Sequence, residues 1–165
     1  MNTAVRAVAG EIFAIPLFVS DLHVLTPFAP DAFRDAEGSF AYCRVIEDRL
    51  DEGLLIEIFE ITGGLDIDLR EVIASERLFR PMITAGLGIM CNRWLSLGIQ
   101  TNFDPELDSE YSQNQLLIGP ETAPRIWQGG KETPVDPHLS VDVDDWRVYF
   151  ADDVERRINR ELVAA

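Results

Sequence analysis

The sequence predicts an α+β fold: a strongly bent, mostly antiparallel sheet or partly open barrel, one or two short helices, and a C-terminal amphipathic helix over one side. Three observations carry this. Short apolar or alternating runs bounded by Gly, Pro and Asp recur between residues 11 and 150, as strands do. Helical periodicity is clear only at the end, where Val154, Ile158 and Leu162 fall at i, i+4 and i+8. The 165 residues, 47% hydrophobic and 26% charged, show no repeat, low-complexity tract or composition break, so 1–165 reads as one domain able to bury a proper core.

Taken in order, "EIFAIPL" (11–17) is a short β-branched strand whose Pro16 places its later part at an edge or out of the sheet. "PDAFRDA" (30–36) suits one or two helical turns, with Pro30 near the first position and Asp31 at the positive end. "GSFAYCRVIED" (38–48) alternates Phe40, Tyr42, Arg44 and Ile46 against Ala41, Cys43 and Val45. After the acidic turn "EDRLDEG", "LLIEIFEI" (54–61) is a central strand with Glu57 and Glu60 as polar exceptions, and the two runs form a hairpin. "GGLDIDLREVIAS" (63–75) turns into a short helix behind Asp68 and Glu71, which hold the capping-box positions without the usual Ser or Thr. "RLFRPMITA", "RWLSLGIQ", "NQLLIG", "PRIWQ" and "LSVDVDDWRVYF" supply further short strands. "ADDVERRINREL" (151–162), acidic at its start and Arg-rich toward its end, is the C-terminal helix.

Composition excludes several classes. With 14 basic and 29 acidic residues the net charge is −15, which disfavours nucleic acid and anionic membranes, since phosphate contacts need Lys and Arg. Glu11 and Pro16 interrupt any signal-peptide core, and the twelve uncharged residues between Arg80 and Arg93 fall short of the ~20 that span a bilayer. Cys43 and Cys91 form no Cys-x-x-Cys motif and sit among apolar residues, so they read as reduced, structural thiols in a cytoplasmic protein, with Cys43 facing the core.

Catalytic and cofactor motifs fail at required positions. Counted from Asp104, an EF-hand loop gets its first three acids but has Ser109 where Gly belongs and Gln115 where Glu belongs. "GGKET" (129–133) lacks the first Gly and the Mg²⁺-binding hydroxyl of a P-loop, and "GLGIMC" (86–91) has Cys91 in place of the third dinucleotide-loop Gly. Both read as turns. No catalytic residue, metal or cofactor is therefore expected. A small enzyme or ligand-binding module with a carboxylate-lined pocket is the alternative.

What stands out is acid beside aromatic. Asp104, Glu106, Asp108 and Glu110 alternate between Phe103 and Tyr111, within a stretch free of Lys and Arg from residue 94 to 124. If extended, that segment puts four carboxylates on one side, where they repel, so folding alone does not account for them. In "VDVDDW" (141–146), Val141 and Val143 alternate inward while Asp142 and Asp144 face water, with Asp145 and Trp146 following. Aromatic anchors ringed by carboxylates suit a basic protein partner, which makes these ten residues, 103, 104, 106, 108, 110, 111, 142, 144, 145 and 146, the candidate contact surface.

The order "GEIFAIPL", "FAYCRVIED", "LIEIFEI", "RLFRPM" (residues 10–83) resembles the N-terminal half of the bacterial immunity protein 26 family, associated with polymorphic toxin systems. The resemblance implies a cytoplasmic protein that binds and blocks a cognate toxin. Acidity agrees with a toxin of basic surface, such as a nuclease, which must hold phosphate.

Overall fold

The computed structural model describes residues 7–164. Glu11–Pro16 forms β1, Phe40–Asp48 β2 and Leu54–Ile58 β3, with a 3-10 turn over Leu50–Glu52 between the last two. Leu69–Ala74 is helix α1, Met82–Thr84 is β4, Leu87–Met90 is α2 and Leu95–Ile99 is β5. Pro105–Ser109 is α3, followed by Gln115–Ile118 (β6), Arg125–Gln128 (β7), Lys131–Pro134 (β8), Asp144–Asp145 (β9), Val148–Tyr149 (β10) and Ala151–Ala164 (α4).

The strands form two sheets, ordered β10-β4-β3-β2-β1-β5 and β8-β7-β6-β9. All pairings are antiparallel except β10 on β4 and β6 on β9. The fold is α+β, with the C-terminal helix in place, and among the described residues the sheets do not close into a barrel.

The period-2 alternation of β2 divides the core. Ala41, Cys43 and Val45, with Phe13, Ile15, Ile56 and Ile58, lie under α4, which contributes Ala151, Val154 and Ile158. On the opposite face Phe40 and Tyr42 pack with Phe59, Val72 of α1 and Phe33. At the other end of that face Ile46, Leu55 and Ile83 receive Leu116 and Trp127 from the second sheet. Each such fully buried apolar side chain contributes on the order of 1.5–3 kcal/mol. Between those two apolar regions the same face carries Arg44 and Glu57, both buried.

Several expectations change. Residues 29–36 form successive four-residue β-turns, with Ala32, Arg34 and Ala36 donating to the carbonyls of Ala29, Asp31 and Phe33, not an α-helix. "RLFRPMITA" is not one continuous strand: Arg77 forms an isolated antiparallel bridge with Phe59, Pro81 lacks a donor, and the strand itself begins at Met82. Residues 139–143 are not a strand, and the second sheet gains its edge from β8, reached through Gly129 and Gly130, whose positive φ of 55° and 90° meet the needs of a two-residue hairpin turn. Within the stretch from Asp104 to Glu110, Pro105–Ser109 is helical, not extended, with Asp104 and Glu110 as its caps. Among the described residues no helix is long and apolar enough to cross a membrane.

Candidate functional site

The acids of residues 104–110 have local partners. Asp104 caps α3, its Oδ1 accepting from the amides of Glu106 (2.9 Å) and Leu107 (3.0 Å). Asp108 Oδ2 accepts from the Asp104 amide at 2.8 Å, and Glu106 accepts from the backbone and hydroxyl of Ser112. Glu110 ends the helix with a φ of 50°, its carboxylate 4.0 Å from Arg77. A helix turns about 100° per residue, so alternate positions do not share a side. The four carboxylates instead fall in two pairs, Asp104 with Asp108 and Glu106 with Glu110, all exposed, and Leu107 is 82% exposed.

What fastens α3 to the protein is a buried ionic cluster. Arg44 donates from Nη1 to Gln100 (2.7 Å) and from Nη2 to Glu57 Oε1 (3.1 Å), the Asp108 carbonyl (3.0 Å) and Ser109 Oγ (3.2 Å). Its guanidinium lies 5.2 Å from the ring centre of Phe59 and 5.0 Å from that of Phe103. Glu57 also accepts from Arg77 Nε at 3.2 Å and from the Ser109 hydroxyl. Phe103 further closes over Gly10, where a Cβ would lie 2.6 Å from the phenylalanine's own Cβ. Phe103 is thus an internal support beside Arg44.

The second acidic stretch arrives beside the first because β9 pairs with β6, aligning Asp144 with Leu116 and Asp145 with Leu117. Glu110 and Asp142 line one cleft with Arg77 and Arg80. Asp142, almost fully exposed, pairs with Arg80 at 3.1 Å, and half-buried Asp144 lies 3.8 Å from Arg157. Val141 and Val143 are half-buried.

At the junction of the two sheets, the rings of Tyr111 and Trp146 meet Trp127 edge-on, at 5.9 and 5.4 Å between centroids. Arg49 lies 5.3 Å from each indole and is paired with Glu47 and Glu52. Burial, reinforced by Glu47, pushes the Tyr111 hydroxyl up to about 12. An open groove of ≈ 610 Å³ runs alongside, walled by Trp127, Trp146, Leu117, Ile118 and Pro124.

Of the ten candidates, Asp104, Glu106, Asp108, Glu110, Asp142 and Asp145 are therefore exposed, Trp146 is half-exposed at the groove, and Phe103, Tyr111 and Asp144 are mainly engaged within the protein. Among the described residues no three His, Cys, Asp or Glu side chains gather as a metal-ligand set. Cys43 and Cys91 are free thiols; Cys43 is buried, and burial pushes its pKa up to about 12, while Cys91 is partly exposed.

The residue pattern does not single out Trp127, Arg49 or Leu107, nor the ion pairs of Arg44 with Glu57 and Arg93 with Glu155. Two signals existed: Arg44 on an otherwise apolar strand face and Glu57 inside an apolar run. Arg93 is wholly buried, its Nε and Nη2 donating to the Glu155 carboxylate at 2.7 and 2.8 Å, while its remaining donors reach the carbonyls of Val19, Leu22 and His23.

Compared with known proteins, residues 8–123 match a family model described as Immunity protein 26. No curated protein and no solved structure matches the chain.

Proposed function

This chain belongs to the immunity protein 26 family, and we propose that it neutralises a cognate protein toxin in the cytoplasm by stoichiometric contact, without catalysis. The observation that supports this best is where the charge lies. The two buried pairs, Arg44 with Glu57 and Arg93 with Glu155, consume one base and one acid each, leaving 12 basic and 27 acidic residues. The whole net charge of −15 therefore falls on the rest of the chain, on partly or fully exposed side chains for the most part. Such a field steers a basic partner and raises its association rate by about 10- to 10³-fold.

The toxin-facing surface we propose runs from α3, with Asp104, Glu106, Asp108 and Glu110 together with Leu107, across the cleft of Asp142 to Asp145 and Trp146. Phe103 and Tyr111 hold it from beneath, and Asp144 fixes its far edge to α4 through Arg157. A toxin that binds nucleic acid would present the matching basic surface.

The test is co-expression with a candidate toxin domain, sought among the genes neighbouring this one. Growth should be restored, and the purified pair should form a one-to-one complex whose association slows as salt rises. Asp104→Asn, Glu106→Gln, Asp108→Asn and Glu110→Gln together should slow association and flatten its salt dependence. Failure of the wild-type protein to protect cells or bind the toxin would refute the proposal.

A further inference from the structure

We infer that the groove at the sheet junction is a receptor for an arginine side chain carried on a loop of a basic protein partner. The inference rests on the toxin-binding reading above and specifies the chemistry of one contact within it.

The groove's walls are apolar and aromatic, and its rim is acidic. Among the described residues, Glu52, Glu121, Glu132 and Asp145 border it against one cation, Arg49, so this lining carries three net negative charges. Glu52 is committed to Arg49, and Glu132 to Arg125 at 2.9 Å. Among the described residues, no cation lies within 4.0 Å of the carboxylates of Glu121 or Asp145, and no hydrogen bond to either carboxylate is present. Two carboxylates lacking a cation thus flank a half-exposed indole. The protein already shows what such indoles hold: Arg49 sits 5.3 Å from the ring centres of both Trp127 and Trp146.

Charge complementarity selects a cation, and the aromatic wall selects which one. A guanidinium is planar and weakly hydrated, stacks on an indole, and can present separate N–H groups to two acceptors, whereas an ammonium is a compact, strongly hydrated charge. The volume of ≈ 610 Å³ is in the range of built ligand sites, about 300–1,000 Å³, and admits the residues flanking the arginine as well. The groove is also open enough for a loop to approach, formed where the β6–β7 connection, β9 and the turn at Arg49 meet.

The experiment titrates the whole protein with the blocked amino acid N-acetyl-arginine amide at low salt, with N-acetyl-lysine amide and the neutral citrulline amide as comparators. Amide and indole shifts are followed by NMR. Saturable shifts should centre on the Trp146 indole, Gly119, Glu121 and Asp145, strongest for arginine and absent for citrulline. Glu121→Gln with Asp145→Asn, surface changes at residues outside every ion pair described, should leave the melting temperature in place and weaken the arginine response by roughly 2- to 30-fold. No shift, equal shifts with citrulline, or shifts spread evenly to Asp104 and Glu106 each overturn the inference. If the double variant also protects cells against the toxin as well as wild type does, the groove is discarded while the immunity function stands. If the wild-type protein does not protect, it is the immunity function that falls.

Discussion

Replacing Glu57 by Gln should both destabilise the protein and loosen the acidic helix. The side chain is 2% exposed and accepts from Arg44 at 3.1 Å, Arg77 at 3.2 Å and the Ser109 hydroxyl. Gln preserves the shape but removes the charge, leaving the Arg44 guanidinium, 4% exposed, without its counter-ion. Breaking a buried pair in this way costs about 3–5 kcal/mol. An unfolding entropy of roughly 2.1 cal/mol/K per residue over 165 residues gives about 0.35 kcal/mol/K, so the melting temperature should fall by about 9–14 °C. Because Ser109 closes α3, the loss should also be local. The Asp108 and Glu110 amides, bonded to the carbonyls of Asp104 (2.8 Å) and Glu106 (3.1 Å), should exchange hydrogen faster than the fall in global stability requires. Thermal unfolding with native-state hydrogen exchange measures both. A fall of less than about 3 °C, near 1 kcal/mol, would show that the cluster does not hold the helix.

Three further outcomes follow from the same structure. Glu155→Gln should lower the melting temperature by a similar ~9–14 °C, since it strands Arg93 at 0% exposure; a calorimetric shift under ~3 °C would count against a charged pair there. Asp104→Ala should cost about 0.5–2 kcal/mol in denaturant unfolding while Asp104→Asn, which still caps, should cost much less; equal losses would mean that charge, not capping, is what Asp104 supplies to stability. The unfolded Cys43 thiol ionises near its ordinary 9.0, but burial holds the folded one protonated to about 12, so the unfolded state binds fewer protons and stability falls as pH rises from about 9 toward 12. Cys43→Ala should flatten that fall between pH 9 and 10, before the raised tyrosines Tyr42 and Tyr111 contribute, and an unchanged slope in urea titrations across that interval would refute it.

The α+β class, the hairpin of β2 and β3, both faces of β2 and the C-terminal helix are legible in the residue pattern alone, because periods of two and of 3.6 are local properties that burial then enforces. The same pattern carries the strand order by which residues 10–83 resemble the family. What the charged residues do depends on contacts between distant parts of the chain. Alternation of acids from Asp104 to Glu110 looked like a strand face, yet Pro105 at the first helical position, the Asp104 cap and the burial of Ser109 against Glu57 favour a short helix, and that last contact joins residues 52 positions apart. Likewise nothing near Trp127 in sequence shows that Tyr111, Trp146 and Arg49 converge on it, since those contacts follow from the parallel pairing of β9 with β6 and from the packing of one sheet on the other. Buried ion pairs are illegible for the same reason. A lone Glu in an apolar strand announces that it needs a partner, but the partner's identity is a matter of long-range register, and only the assembled fold supplies it.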